Sequence, residues 1–317
     1  MKKTILITHR LPREHFAELE AQFEVLIPRD ERFPKEEFER YLPRIDGMIS
    51  STALRVTDEM MARAPRLKII ASYGVGYDNI DLAAAERRGI VVTNNPTPVL
   101  EPTAEHAYAL MLAVAHRIPE CDRDLREGRA KWGIMDNLGT SLYGKTLGIV
   151  GMGRIGKALR RYAAASRMRV LYYNRRRLPE PEERALEVEY ADFDTLLRES
   201  DIVSVHTPLT DESRHLFGPE QFRRMKPTAL LVNTARGAVV DNAALAEALR
   251  SGQIAGAALD VFENEPRVLP DLLTLDNVVL TPHTGTNTVE TREQMSAHAA
   301  RNVMRFFAGD PEIDRVV

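Results

Sequence analysis

Apolar and polar positions follow two rhythms along this chain. Short, nearly continuous apolar runs, TILIT (4–8), EVLIP (24–28), GMISS (47–51), LKIIASYG (67–74) and IVVTNN (90–95), read as strands. Between them, apolar residues recur every three or four positions, as Leu11, Phe16, Leu19 and Phe23 do. That spacing predicts helices over 11–23, 34–45, 57–65 and 80–89. Thr57 is the capping residue of the third, which ends before Pro65, and Gly89 closes the fourth. Unbroken apolar strands alternating with amphipathic helices imply a parallel sheet covered on both faces. One α/β domain is thus complete by about residue 95. The segment PTPVLEPT (96–103) carries three prolines and reads as a hinge. A long apolar helix over about 103–117 then opens a second domain. Its strands are TLGIVG (146–151), RVLYYN (169–174), DIVSVHT (201–207), ALLVNT (229–234), GAALDV (256–261) and NVVLTP (277–282). Helices fall between most of them, among them Asp241–Arg250, capped by Asp241 and closed by Gly252. A final helix is expected over about 288–307.

Composition narrows the class. A length of 317 residues fits two domains. Apolar residues at 44% and charged residues at 28% exclude a disordered, collagenous or coiled-coil chain. A net charge of −3 offers no basic excess for nucleic acid or an anionic membrane. Cys121 is the single cysteine, so neither an intrachain disulfide nor a Cys-rich zinc site can form, and no metal site is expected. The longest apolar run, Ala107–Ala115, falls short of the ~20 residues of a membrane helix. The apolar stretch at 4–8 is too short for a signal peptide, so a cytoplasmic protein is expected.

Gly151-Met152-Gly153-Arg154-Ile155-Gly156 fits G-x-G-x-x-G, follows a strand and opens a helix over 157–165, with a second strand next. In that context the glycines permit a tight turn, close approach of backbone to a pyrophosphate and close helix packing, and the helix N-terminus faces the phosphates. An ordinary glycine-rich turn has the same look. A carboxylate about 20 residues on would bind the ribose 2′-OH of NAD. Asn174 stands there instead, followed by Arg175, Arg176 and Arg177. Guanidinium groups can bind a 2′-phosphate and no carboxylate repels it. NADP(H) is therefore favoured, through Arg175 and Arg176 more than Arg177, with NAD(H) the alternative; a solvated basic loop is the plainer reading.

Three segments put polar residues just beyond predicted strands: Thr234-Ala235-Arg236-Gly237, Asp260-Val261-Phe262-Glu263-Asn264-Glu265-Pro266 and Thr281-Pro282-His283-Thr284-Gly285. Ligands bind at such edges in open α/β sheets. An arginine, a glutamate and a histidine delivered to one edge are the parts that reduction of a 2-oxoacid needs, although the arginine could also be a structural ion pair. His206 is the nearest rival histidine.

The chain resembles the D-isomer-specific 2-hydroxyacid dehydrogenase family. The resemblance is carried by SYGVGYDNIDL (72–82), LGIVGMGRIGKAL (147–159), VSVHTPLTDESRHLFG (203–218), LLVNTARGAVVDNAALAEAL (230–249), GAALDVFENEP (256–266) and LTPHTG (280–285). It implies α/β architecture with two Rossmann-like, doubly wound parallel-sheet domains and an active site in the cleft between them. A discontinuous, flavodoxin-like substrate-binding domain would span 1–98 plus 286–317, and a dinucleotide-binding domain 99–285. It also implies a homodimer. Arg236 matches the substrate arginine and His283 the acid/base. Glu265, rather than Glu263, matches the glutamate that pairs with that histidine and favours its protonated form. The amides of Val75 and Gly76 match a substrate-carboxylate site, and Leu54 a position near the substrate side chain. Gly151, Gly153, Arg154, Ile155, Gly156, Asn174, Arg175, Arg176, Thr207, Pro208, Thr234, Ala235, Asp260 and Gly285 match cofactor-binding positions. Trp132 lies where related reductases place a Trp against the dimer partner, but a lone Trp is more often core. Thr284-Gly285-Thr286 and PVLEPTAEH (98–106) depart modestly from the family pattern. The activity implied is reduction of a small 2-oxoacid, of the glyoxylate/hydroxypyruvate type, to the D-2-hydroxyacid. Phosphoglycerate dehydrogenase-like or 2-ketogluconate reductase-like activity is the enzymatic alternative, and a cofactor-sensing corepressor-like protein the non-enzymatic one.

Overall fold

The computed structural model describes residues 2–317, which form two compact units. The first comprises the residues up to Val99 together with Asn287–Val317. Its elements run β1 (Thr4–Ile7), α1 (Ala17–Gln22), β2 (Glu24–Leu26), α2 (Lys35–Tyr41), β3 (Gly47–Ser50), α3 (Asp58–Ala62), β4 (Ile69–Ser72), α4 (Leu82–Arg87) and β5 (Val91–Thr93). The sheet order is β2-β1-β3-β4-β5, and the paired strands are parallel. β1, β3 and β4 are buried along their whole length, as their apolar runs require. Thr57 and Asp81 accept hydrogen bonds from Met60 N and Ala84 N, which starts α3 and α4.

The second unit is Leu100–Thr286. It contains α5 (Leu100–Ala115), α6 (Ile118–Arg126), β6 (Thr146–Val150), α7 (Arg154–Ala165), β7 (Arg169–Tyr173), α8 (Glu180–Leu186), β8 (Glu189–Tyr190), α9 (Phe193–Glu199), β9 (Ile202–Val205), α10 (Pro219–Arg224), β10 (Leu230–Asn233), α11 (Asn242–Arg250), β11 (Gly256–Leu259), α12 (Pro270–Leu273) and β12 (Val278–Leu280). Its seven strands order as β12-β11-β10-β9-β6-β7-β8. Strand order reverses between β6 and β9, the switch point where doubly wound sheets bind ligands. The last helix, α13 (Val289–Ala308), belongs to the first unit, where Met295, Ala299 and Val303 join the core containing Ile69 and Ala71.

Boundaries differ from the periodic pattern in instructive places. The helix expected from about 103 begins at Leu100, because Pro102 sits in its first turn, where proline costs no hydrogen bond. The helix after the glycine turn starts at Arg154 rather than 157, so the turn and the helix share residues. β8 is only two residues long and leaves no readable pattern. Among the described residues, no helix is long and apolar enough to cross a membrane.

Candidate active site

β10, β11 and β12 are neighbours, so the loops leaving their carboxyl ends lie side by side. Asn233, at the end of β10, is fully buried; its amide donates to Arg236 O at 2.9 Å and its oxygen accepts from Ala235 N at 3.0 Å. That folds the loop back and turns out Arg236, whose Nη1 bonds Ala235 O at 2.7 Å. Gly237 then lies against the next loop: a Cβ there would stand 1.9 Å from the carbonyl carbon of Phe262. Only glycine allows that approach, which brings the Arg236 loop onto the loop holding Glu265.

Glu265 has two partners. Its Oε1 accepts from Phe262 N at 2.9 Å, and its Oε2 lies 2.8 Å from His283 Nδ1. Partial burial pushes its carboxyl up, but the His283 hydrogen bond and charge, the Phe262 N–H and the Arg236 field outweigh it and hold Glu265 below the usual carboxylate range. A carboxylate only accepts, so His283 Nδ1 carries the hydrogen and Nε2 is the nitrogen left to exchange a proton. Glu263 pairs with His215 instead. His206 follows β9, its Nε2 2.8 Å from Ser204 Oγ, and desolvation pushes it down to about 4. It stays neutral at working pH and is no rival proton donor.

His283 sits at φ 55°, a left-handed conformation unusual for a residue with a side chain. Its N–H donates to Asp260 O at 2.8 Å and Thr281 O at 3.0 Å. Asp260 is buried. It takes Thr281 Oγ1 and Thr284 N at 2.7 Å and Gly285 N at 2.8 Å, with His106 Nε2 3.3 Å away. The side chain expected to touch cofactor also organises the turn that carries His283. Gly285, expected on the same grounds, is buried within that turn. His106 on α5 escaped sequence reading; its signal was a polar residue among Thr103, Ala104, Ala107 and Leu110, the buried positions of that helix.

The glycine turn follows β6. Gly151 has φ 101°, and a Cβ there would stand 2.7 Å from both His206 C and Thr207 N, which crowds Thr207-Pro208 against the turn. Met152 N donates to Asn174 Oδ1 at 2.6 Å, so Asn174 pins the turn. Gly153 is the N-cap of α7, and no side chain among the described residues caps that terminus. The N–H groups of Arg154, Ile155 and Gly156 therefore point at an anion site. A Cβ on Gly153 would meet nothing within 4 Å, and the buried Thr234 Oγ1, beside Ala235, has no hydrogen-bond partner among the described residues. An open glycine and an uncapped helix after β6, and an unpaired hydroxyl after β10 on the other side of β9, fit a dinucleotide. After β7, Arg177 is bidentate to Glu183 at 2.8 and 2.7 Å, which makes it a weaker candidate for phosphate than Arg175 or Arg176. Tyr172 OH also donates to Glu183 and accepts from Leu178 N at 2.9 Å. Among the described residues Arg175 pairs only with Glu212, 3.8 Å away, and both are exposed. Arg176 is exposed and makes no ion pair among the described residues.

In the first unit, Val75 O accepts from Asn94 Nδ2 at 2.9 Å and Gly76 O from Ser72 Oγ at 3.0 Å. Their N–H groups have no partner among the described residues. Leu54 packs partly buried against the core of that unit, and its carbonyl accepts from Asn79 Nδ2 at 2.6 Å. Trp132 is 85% exposed, so it is not a core residue of this chain.

A doubly wound sheet with a glycine turn at its switch point, and a histidine–carboxylate pair beside an arginine at its edge, defines a nicotinamide-dependent oxidoreductase. Residues 108–285 match the family described as "D-isomer specific 2-hydroxyacid dehydrogenase, NAD binding domain". Over 316 residues the chain is 46% identical to a glyoxylate reductase of Thermococcus litoralis, covering 98% of this chain and 95% of that one. The TT0316 protein of Thermus thermophilus superposes with a TM-score of 0.92 at 42% identity, covering 99% of this chain and 100% of that one. An NADPH-dependent glyoxylate/hydroxypyruvate reductase of Sinorhizobium meliloti, solved with NADP and malonate, superposes with a TM-score of 0.87 at 31% identity, covering 100% and 97%. The chain belongs to the D-isomer specific 2-hydroxyacid dehydrogenase family. It is a 2-oxoacid reductase of that family, dependent on a nicotinamide cofactor.

Proposed function

We propose that this enzyme reduces a small 2-oxoacid of the glyoxylate/hydroxypyruvate type to the D-2-hydroxyacid, with NADP(H) preferred over NAD(H). The observation that carries the reading is the Glu265–His283 pair, oriented so that Nε2 is the free nitrogen, with Arg236 close enough to bias Glu265. Bound nicotinamide supplies the hydride for C2 of the oxoacid. His283, protonated at both nitrogens and neutralised by Glu265, delivers its Nε2 proton to the carbonyl oxygen as that oxygen gains charge. Arg236 polarises the carbonyl and holds the substrate carboxylate by parallel charge-assisted bonds. In the oxidative direction neutral His283 takes the hydroxyl proton at Nε2, and Nδ1 stays donated to Glu265. In the first unit, the uncommitted amides of Val75 and Gly76 suit a carboxylate, and Leu54 matches the family's position near a substrate side chain.

The turn-forming residues 151–156, with Thr207, Pro208, Thr234 and Ala235, would hold the cofactor. Its preference is read from the loop after β7. No carboxylate stands at Asn174, Arg177 is committed to Glu183, and Arg175 and Arg176 are left to meet a 2′-phosphate. The enzyme is taken to be a cytoplasmic homodimer. The experiment is NADPH and NADH oxidation, side by side, against glyoxylate, hydroxypyruvate, pyruvate and 3-phosphohydroxypyruvate. Fastest turnover with NADPH and a two- or three-carbon oxoacid is expected. A clear NADH preference would refute the cofactor assignment alone, and preference for the phosphorylated acid would refute the substrate assignment.

A further inference from the structure

The turn Thr281–Gly285 holds His283 in a left-handed conformation by converging donors on one buried carboxylate, that of Asp260. Thr281, Thr284 and Gly285 belong to the turn itself. The remaining donor, His106 Nε2, comes from a different element, 3.2 Å from Thr281 Oγ1 and 3.3 Å from Asp260 Oδ1. The proton assignment follows from its partners. Thr281 Oγ1 gives its one hydrogen to Asp260 at 2.7 Å, and an ionised carboxylate has none to give. His106 Nε2 therefore donates to Thr281 Oγ1, with Asp260 Oδ1 3.3 Å away, and the ring needs no positive charge to do so. Its side chain is 22% exposed and that of Asp260 2%, so water competes little for the bond. α5 is a firm anchor: sixteen residues long, with Ala104, Ala107, Leu110 and Met111 buried. The ring also bounds the turn, since a Cβ on Gly285 would stand 3.7 Å from His106 Cδ2.

We propose that His106 is a positioning residue for catalysis: through its Nε2–H it ties the Asp260–Thr281 pair to α5 and so fixes the turn that aims His283. This rests on His283 being the acid/base of the proposed function. Displacing a proton donor from its working geometry slows the chemical step without weakening ground-state binding.

The test compares H106L, which removes the donor, with H106Q, which can return an N–H to about the same place. Steady-state kinetics with glyoxylate and NADPH are measured for both, along with thermal midpoints and NADPH titration by fluorescence. H106L is expected to lose about tenfold or more in kcat with KM for glyoxylate within about twofold and NADPH binding unchanged. H106Q is expected to recover most of that loss. Wild-type kcat in H106L, or H106Q as slow as H106L, overturns the proposal. If H106L does not fold, Thr281→Val carries the same expectation, since it breaks the shared hydrogen bond, and wild-type kcat there overturns it equally. H283A separates the two readings. If H283A is inactive while H106L is unimpaired, only the positioning role falls; if H283A turns over normally, the acid/base assignment falls and takes this proposal with it.

Discussion

Gly237→Ala is the sharpest test of how the site is assembled. The added methyl would stand 1.9 Å from the carbonyl carbon of Phe262, 2.1 Å from its oxygen and 2.4 Å from Glu263 N. All three are backbone atoms, so no rotamer change relieves the clash. Opening the contact to the 3.4 Å of ordinary packing moves one loop against the other by about 1.5 Å. One of those loops carries Arg236, and the other runs on to Glu265 three residues beyond Phe262. Misplacing catalytic groups by about 1 Å can cost on the order of a hundredfold, so kcat/KM for a 2-oxoacid should fall by about that much or more. Overpacking adds a stability cost of about 1–3 kcal/mol, which lowers the thermal midpoint by several degrees. Gly252→Ala is the control. Gly252 has φ 70° and nothing within 4 Å of its Cβ position, so alanine there should cost about 1 kcal/mol of stability and leave kinetics alone. Calorimetry and steady-state kinetics on both variants decide the matter. A G237A enzyme with wild-type kcat/KM would refute the claim that this glycine sets the spacing of the catalytic loops.

Glu265→Gln removes the charge that balances a protonated His283, and kcat should drop by about two orders of magnitude; retention of kcat would remove the carboxylate from the reaction. The double variant R175A/R176A should raise KM for NADPH about tenfold to a hundredfold with little effect on NADH, and equal effects on the two cofactors would exclude a 2′-phosphate contact. R177A should instead lower the thermal midpoint without selective loss of NADPH, because that guanidinium is bonded to Glu183. Glu183 is held down to about 2 by Arg177 and by the Tyr172 hydroxyl. Its stabilising effect is therefore present above its ordinary value near 4.5 and is lost as pH falls from there toward 2. The gap in thermal midpoint between wild type and E183Q should narrow over that range; a gap of constant size would show that the charge of Glu183 is not what stabilises the fold.

Most elements were legible because buried parallel strands write themselves as unbroken apolar runs. Every strand but β8 has such a run, and Thr57 and Asp241 are capping residues visible in the sequence. What periodicity could not supply is which sheet a helix joins. α13 would read the same on either sheet; Met295, Ala299 and Val303 on its buried face say only that it packs somewhere. Strand order is hidden for the same reason, since Val203 and Leu231 look alike whether their strands are neighbours or not. The start of α5 at Leu100 was obscured by three prolines that read as a break, although one of them occupies the helical first turn where it is tolerated.

At the site, sequence identified residues but not the atoms they spend. Arg236, Glu265 and His283 stand at strand ends, and that placement follows from the pattern alone. Asp260 stands at a strand end too, yet its oxygens all face inward to the 281–285 turn, because a buried carboxylate is favourable only when donors surround it. Asn174 and Arg177 show the same division. Each lies in the loop read as a cofactor-specificity loop, and each is bonded to protein, to Met152 N and to Glu183, which fixes the loop around Arg175 and Arg176. A polar residue at a sheet edge therefore does one of two jobs, and its hydrogen-bond partners tell them apart. Arg175 and Arg176 keep their guanidinium groups in solvent, where a ligand can reach them, whereas the carboxylates of Asp260 and Glu183 are bonded to the 281–285 turn and to Arg177. By that criterion the acid/base pair is of the first kind: the His283 side chain is 44% exposed while its Nδ1 is fixed, which leaves Nε2 both oriented and accessible.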